Sequence, residues 1–265
     1  MIAADRTFAL SLVALPLVFA LIAQLLPSDY GLSWLRWVAS GFDANGDNAR
    51  LMLVLVLGCA FIGSIGAVRE LVKERSIVQR EQAIGLSLGA YLSSKLVVLG
   101  LITSVQAVIL AVAGLWGKEP PDAPLVFDDG VVEITVALVA VALAAMVQGL
   151  LISALIANAD RGMPILAVIL LLQVPLCGMV MPLHGQPPLE QVAWLVPSRW
   201  GFAMTVATTA YRQTPGNPDP DLDPLWTAEA GQWAFDLAVL LLLTVAVTAV
   251  IWLVLRRGAH PRKGR

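Results

Sequence analysis

Long uncharged stretches constrain this chain more than any other feature of its sequence. Six runs without Asp, Glu, Lys or Arg lie at about residues 7–28, 51–68, 96–117, 134–159, 162–182 and 237–255. A helix needs about 20 apolar residues to cross a hydrocarbon core about 30 Å thick. The pattern therefore predicts an all-α, polytopic membrane protein with six transmembrane helices in a single domain over residues 1–265.

The composition agrees with a membrane protein, because 58% of the residues are hydrophobic and only 14% are charged. A formal net charge of −2 argues against a nucleic-acid binder, which would carry a basic surface. The two cysteines, Cys59 and Cys177, both lie inside apolar runs, so we expect neither a disulfide framework nor a metal site. The prolines and alternating acids of residues 217–224 predict an acidic outer coil.

The charges between the runs predict the orientation of the chain. Twelve of the 17 basic residues, but only five of the 19 acidic ones, fall on the side of the termini. Because basic loops stay on the cytoplasmic side, we expect a multi-pass protein of the cell membrane with both termini in the cytoplasm. The basic tail, which includes Arg256 and Arg257, is predicted to anchor the last span at anionic headgroups.

Several functions are disfavoured by what the sequence lacks. The uncharged runs offer no ionisable group of the kind that ion-coupled carriers use within the membrane. No Gly-rich loop ending in Gly-Lys-Ser/Thr is present, and no Ser/His/Asp constellation suggests an enzyme. The sequence therefore predicts no catalytic residue and no cofactor on this chain, and any energy would come from a partner.

A polar segment at about residues 69–84 follows the second run. Its alternating charges and apolar residues predict an amphipathic helix, which Gly85 would end. The residues alone leave two interpretations open: a solvated connection between spans, or a helix that contacts another protein. The segment contains the pattern Glu-Arg-x4-Arg-Glu-x3-Gly-x5-Tyr, which is formed by Glu74, Arg75, Arg80, Glu81, Gly85 and Tyr91.

A second informative segment, at about residues 187–211, precedes the last run. Trp194, Trp200 and Phe202 are too apolar for a solvated loop and suit the membrane interface. Pro197 and Arg199 interrupt the segment, so it is too broken for a pair of full spans. We expect it to enter the membrane from the outer side and return.

The two segments, in this order on a six-span frame, resemble the membrane domain of type-2 ABC exporters of the G-subfamily, which includes the white-type and pleiotropic-drug-resistance proteins. The Ser-Arg-Trp-Gly-Phe core at residues 198–202 also resembles the C-terminal part of actinobacterial fusions of a forkhead-associated domain, a cassette and a permease. The resemblance implies a permease that is not itself an enzyme. Its partner cassette, upstream in the same polypeptide or on a separate chain, would bind ATP and Mg.

The resemblance also implies roles for individual residues. Glu74, Arg75, Arg80 and Glu81 would couple the permease to the cassette. Trp194, Arg199, Trp200 and Phe202 would belong to the re-entrant segment. The residues that would line a substrate cavity or gate between two copies are Ile62, Gly66, Gln173, Pro175, Met179 and Val180. Ordinary helix packing is the alternative explanation for this third set.

The expected function is ATP-driven export of a lipidic or amphipathic substrate from the cytoplasm or the inner leaflet outward, by a homodimer. Export of polysaccharide or small drugs on the same frame, and a non-transporting membrane scaffold, are the alternatives. An apolar cavity favours the lipidic substrate, because burying an unpaired charge is costly. Because exposed ion pairs contribute little to stability, loss of Glu74 or Glu81 is expected to abolish transport without impairing membrane insertion.

Overall fold

The computed structural model describes residues 6–27, 31–39, 45–211, 213–214, 217–218 and 223–259. Within these ranges, the α-helices are α1 (Arg6–Leu25), α2 (Trp34–Ala39), α3 (Asn45–Ala67), α4 (Glu70–Ala83), α5 (Leu88–Leu115), α6 (Gly130–Leu155), α7 (Gly162–Leu176), α8 (Leu189–Ala193), α9 (Pro197–Thr208) and α10 (Ala230–Ala259). Short 3-10 turns lie at Ala159–Arg161 and Pro224–Trp226, and β1 (Gln213–Thr214) pairs antiparallel with β2 (Asn217–Pro218). Apart from that two-residue pair, the predicted all-α class is confirmed.

Five helical stretches of the described chain are long and apolar enough to cross a membrane. They are Asn48–Gln82, Leu88–Leu115, Gly130–Leu155, Ala159–Leu176 and Ala230–Arg257. The first stretch combines α3 and α4, which only a short turn separates. The first predicted span corresponds to α1, whose apolar part, Val13–Leu25, is shorter. The chain is thus a polytopic membrane protein with five candidate spans and one shorter apolar helix.

Several helices extend beyond the uncharged runs of the sequence and take in charged residues. Lys95 lies in α5, Glu133 lies in the first turn of α6, and Asp236 lies in α10. The helices start early because polar caps satisfy their first amides: Ser87 accepts from Ala90 N, and Asp129 accepts from Val131 N. These three residues lie directly before the uncharged runs, so the helices begin earlier than the runs but the runs themselves stay free of such groups.

The long helices alternate in direction, as short connections between spans require. The end of α1 meets the end of α5, where Gln24 Nε2 donates to the carbonyl oxygens of Ala113 (2.8 Å) and Trp116 (3.0 Å). At the other end of the molecule, α4 lies beside the beginning of α5 and the ends of α6 and α10. We call these the opposite end and the α4 end.

Helix α6 forms the centre of the chain, where it packs against α3, α5, α9 and α10. Its contact with α3 is made by small residues. A methyl group on Gly63 would overlap the carbonyl oxygen of Ala142, and one on Gly149 would lie 2.6 Å from the Ser64 carbonyl oxygen. Ser64 Oγ donates to the carbonyl oxygen of Ala145 (3.1 Å). The two backbones can approach this closely only because no side chain separates them.

Candidate functional site

Helix α4 is attached to the bundle at its first turn by a side chain from a distant helix. The first amides of a helix have no partner within it. Ser153, a fully buried residue near the end of α6, accepts hydrogen bonds from Leu71 N (2.9 Å) and Val72 N (3.0 Å). Arg75 Nη2 donates to the carbonyl oxygen of Ala154 (2.7 Å). A cap that comes from α6 therefore holds α4 in place.

An ion-pair network joins the same helix to the beginning of α5. Lys95 Nζ donates to Glu70 Oε2 (3.0 Å) and to Glu74 Oε1 (2.6 Å). The Tyr91 hydroxyl donates to Glu74 Oε2 (2.9 Å). Because one ammonium group bridges two carboxylates one helical turn apart, α4 and the beginning of α5 are held as one unit.

The four residues predicted to contact the cassette fall into two groups. Glu74 and Arg75 point toward the bundle and bind α5 and α6. Arg80 and Glu81 are exposed, and Arg80 Nε donates to the carbonyl oxygen of Ser76 on its own helix (3.4 Å). Loss of the Glu74 carboxylate would remove partners from Lys95 and Tyr91, so its effect on stability would be larger than that of Glu81, and the coupling role of all four residues stays a prediction.

The predicted outer segment, at about residues 187–211, contains α8, a short turn and α9. Every residue of α9 is buried, including Arg199, whose Nη2 donates to Asp223 Oδ2 (2.7 Å). Trp200 Nε1 donates to the carbonyl oxygen of Trp194 (2.9 Å), and Phe202 packs edge-on against Trp226 with ring centroids 5.5 Å apart. Arg199 and Phe202 thus meet residues 223–226, which precede α10, whereas Trp194 and Trp200 bind each other within the segment.

Asp223 corrects the interpretation of residues 217–224 as a solvated acidic coil. Its side chain is buried, pairs with Arg199 and accepts from Leu225 N (3.1 Å). Residues 219–222 of that run lie outside the described residues, as do 260–265 of the basic tail. A buried arginine within an aromatic segment needs a carboxylate partner. Arg199 in the sequence therefore could have predicted that one acidic residue nearby is buried.

Sequence reasoning also missed Glu133, which is fully buried at the start of α6. Its Oε1 accepts from the backbone amides of Leu125 (2.6 Å), Val126 and Phe127 (2.9 Å), and its Oε2 accepts from Thr208 Oγ1 (3.0 Å). One carboxylate therefore ties the loop before α6 to the end of α9. Three amide donors stabilise its charge away from water.

The residues predicted to line a cavity do not share one environment in a single chain. Ile62 and Gln173 are each 2% exposed, whereas Val180 is 60% exposed. Pro175 and Met179 are partly buried, and outside its own turn of helix no described residue lies within 4 Å of a methyl group placed on Gly66. The backbone oxygen of Gln173 accepts from Ser198 Oγ (3.2 Å), which links α7 to α9. Their role as a cavity lining stays a prediction.

Comparison with known proteins identifies the family of this helical arrangement. Residues 2–209 match the ABC-2 type transporter family. The chain belongs to that family. Over 246 residues it is also 32% identical to an ABC transporter ATP-binding/permease protein of Mycobacterium tuberculosis. This match covers 92% of the chain but 28% of the relative, so the chain spans less than a third of that protein's length.

Membership gives the fold a functional frame. An ABC-2 membrane domain is the permease part of an ABC transporter, and the ATP that drives transport is bound and hydrolysed by a cassette domain. The resemblance drawn from the two sequence segments is therefore confirmed at the level of the ABC-2 family. Within this domain, side chains of α5 and α6 hold helix α4 in place, and helix α9 is buried throughout.

Proposed function

We propose that this ABC-2 domain is the permease of an exporter that moves a lipidic or amphipathic substrate from the cytoplasm or the inner leaflet outward. Two identical chains would enclose the substrate path, and a cassette, fused or separate, would drive it with ATP and Mg. The α4 end would face the cytoplasm together with both termini. The G-subfamily is the branch of the family that the two sequence segments favour.

The attachment of α4 to the bundle carries this proposal. Ser153, Ala154, Tyr91 and Lys95 hold its inner side, while Arg80 and Glu81 remain exposed at its other side. A helix fixed in this way would pass a movement of a bound cassette from its exposed side to α5 and α6, because its inner side cannot move separately from them. Exposed charges next to Ile77 and Ile84, which are also exposed, suit a contact with another protein.

The charge distribution supports the proposed orientation. The basic residues of the segment after α3, of the turn before α7 and of the end of α10 all lie at the α4 end. Positive charge is retained in the cytoplasm during insertion. A cassette that hydrolyses cytoplasmic ATP would meet α4 on that side.

The exposed face of α7 supports an apolar substrate. Val168, Leu171 and Leu172 are exposed there, and Val180 is exposed just after the helix. A path bounded by such side chains offers no partner for a buried charge, which would be costly. The alternatives are export of polysaccharide, export of small drugs and a purely structural role. Transport assays distinguish them from lipid export.

The proposal is tested with the full transporter, which includes its cassette, in sealed vesicles. We expect ATP-dependent movement of a fluorescent phosphatidylethanolamine across the bilayer, and its loss in Glu81→Ala at unchanged melting temperature, because the exposed carboxylate contributes little to folding. Glu229→Ala is the matched control, since Glu229 is an exposed carboxylate at the opposite end of the molecule. Undiminished transport by Glu81→Ala would remove the coupling role of α4. Cassette activity without lipid movement would favour another substrate.

A further inference from the structure

A cavity of about 520 Å³ lies between α10 and the turn that joins α8 to α9. One wall is a stripe on α10 formed by Phe235, Val239, Leu242, Leu243 and Ala246. This spacing places the five side chains on neighbouring positions of one helix face. The stripe spans about 16 Å at 1.5 Å per residue, which is about half of a hydrocarbon core about 30 Å thick. The cavity therefore has the length of one bilayer leaflet.

The facing wall of the cavity is aromatic, and a hydrogen bond and a ring contact hold one of its side chains in place. Trp194, Leu195 and Trp200 form it. Trp200 is held by its hydrogen bond to the Trp194 carbonyl oxygen and by an edge-on contact with Phe235, with ring centroids 6.3 Å apart. The cavity is thus a built feature of the outer segment and lies away from α4 and from the exposed face of α7.

This cavity opens sideways toward the surroundings of the protein. Leu195 and Leu242 line it and are 65% and 67% exposed. The most apolar window of α10 is only 11% buried within the chain, so most of its surface faces outward. In a bilayer, that surface contacts acyl chains, and the cavity continues it inward. Hydrocarbon fits these walls, whereas a polar ligand would lose its hydration without compensation.

The charged groups of the lining give the cavity an acidic character. Asp223 is compensated by Arg199 at 2.7 Å. Glu190 accepts from Gly185 N (3.0 Å), and its other oxygen lies 3.5 Å from His184 Nδ1. The described residues that line the cavity include no Lys or Arg. A carboxylate in the same lining as three aromatic rings attracts an ammonium group by charge, and the rings can add cation–π attraction.

We propose that this cavity binds one hydrocarbon chain of a bilayer lipid whose headgroup carries an ammonium. The chain lies along the α10 stripe between Phe235 and Ala246, against Trp194 and Trp200. The ammonium is attracted by Glu190. The lipid comes from the surrounding bilayer and binds without ATP hydrolysis, so this site is independent of the proposed export.

The chain site is tested by photolabelling of the full transporter in nanodiscs without ATP. The probe is a phosphatidylethanolamine with a diazirine at the end of one acyl chain, and labelled peptides are mapped by mass spectrometry. We expect residues 189–200 and 235–246 to be labelled above the groove lined by Val112 and Trp116, which reports ordinary lipid contact. Ala246→Trp, or the smaller Ala246→Ile if the first variant folds poorly, should reduce labelling of 189–200 to the level of that groove.

The matched control is Val245→Trp, because Val245 is exposed on α10 but does not line the cavity. It should leave the labelling of 189–200 unchanged. The headgroup is tested with a phosphatidylglycerol probe that carries the same chain. We expect about threefold preference for the ammonium probe in the unmodified chain and no preference in Glu190→Gln. Equal labelling of the two grooves would overturn the chain site, and a preference that survives Glu190→Gln would overturn the role of the carboxylate.

Discussion

Arg199 shows how a charged side chain can be stable inside an apolar segment. Its guanidinium is buried near the beginning of α9 and meets Asp223, which comes just before the turn that leads into α10. Removing two charges from water costs several kcal/mol per ion, roughly, and their mutual attraction offsets this only with good geometry. The 2.7 Å contact ties α9 to the residues that lead into α10. The pair therefore holds α9 and also Asp223, which lines the cavity beside α10.

Breaking this pair should destabilise the protein strongly. Arg199→Met leaves Asp223 buried and unpaired, and Asp223→Asn leaves Arg199 without its counter-charge. We expect each single change to lower the free energy of unfolding by about 3–5 kcal/mol and to lower the melting temperature of the purified transporter, with partial recovery in the double variant. Thermal unfolding monitored by size-exclusion chromatography measures the melting temperature of each variant.

The exposed pair between Arg36 and Glu119 is the control for burial. Arg36→Met or Glu119→Gln should change stability by about 0–1 kcal/mol, because water screens the lost attraction. An equal effect of the exposed and the buried pair would show that burial does not govern the contribution of Arg199.

At the scale of helices, α3 and α6 pack with their backbones close together. Gly63 faces the Ala142 carbonyl oxygen, and Gly149 faces Ser64. In a membrane, such small residues allow the dense packing that holds helices together, because lipid surrounds both helices equally. Gly66 lies one turn beyond Gly63 on the same helix, yet it has open space around it. Gly63 therefore has a packing role, whereas the role predicted for Gly66 is to line a cavity.

Gly63→Ala should impair folding, because its methyl group would meet a backbone oxygen that cannot rotate away. We expect a loss of about 1–3 kcal/mol or more and a lower yield of monodisperse protein. Gly66→Ala should fold normally or slightly better, since alanine favours a helix over glycine by about 1 kcal/mol. Expression with fluorescence-detected chromatography compares the two, and similar yields would contradict the packing of this seam.

On the scale of the whole molecule, the central and peripheral helices differ in how much apolar surface they expose. This difference limits where a second copy could bind. Helix α6 is largely buried within one chain, whereas α7 exposes Val168, Leu171 and Leu172. A contact between copies through α6 would require the chain to open. Closed two-fold symmetry is the commonest arrangement of soluble homo-oligomers, and for the proposed homodimer we expect the exposed apolar face of α7 to be the shared surface.

Disulfide trapping tests this arrangement in membranes. Cysteines introduced at Leu172 or Val180 should bridge two chains, because a dimer through this face brings equivalent positions within the reach of a disulfide, about 7 Å between Cα atoms. Ile62 is unsuitable as a probe, since it is buried inside one chain. Val245→Cys on α10 is the control and should stay monomeric, and the native Cys59 and Cys177 are buried. Bridging at Val245 alone would contradict a dimer through α7.

Local patterns in the sequence determined the membrane-spanning character, the amphipathic helix α4 and the family. Each of these depends on residues close together in the chain: an uncharged run long enough for a bilayer, charges at helical spacing, or a motif of fixed spacing. Gly85, with φ +111, follows the end of α4 as the sequence predicts, because this backbone conformation favours glycine.

The tertiary structure alone decided which polar residues meet. Ser153 caps α4 across 82 residues of chain, Glu133 binds Thr208 across 75, and Arg199 pairs with Asp223 across 24. Periodicity shows that one side of α4 is polar, but it cannot show that Glu74 turns toward Lys95 while Glu81 stays exposed. That choice depends on where α5 begins and α6 ends in space, and helix packing sets those positions. Buried charges must then find partners wherever the backbone brings them.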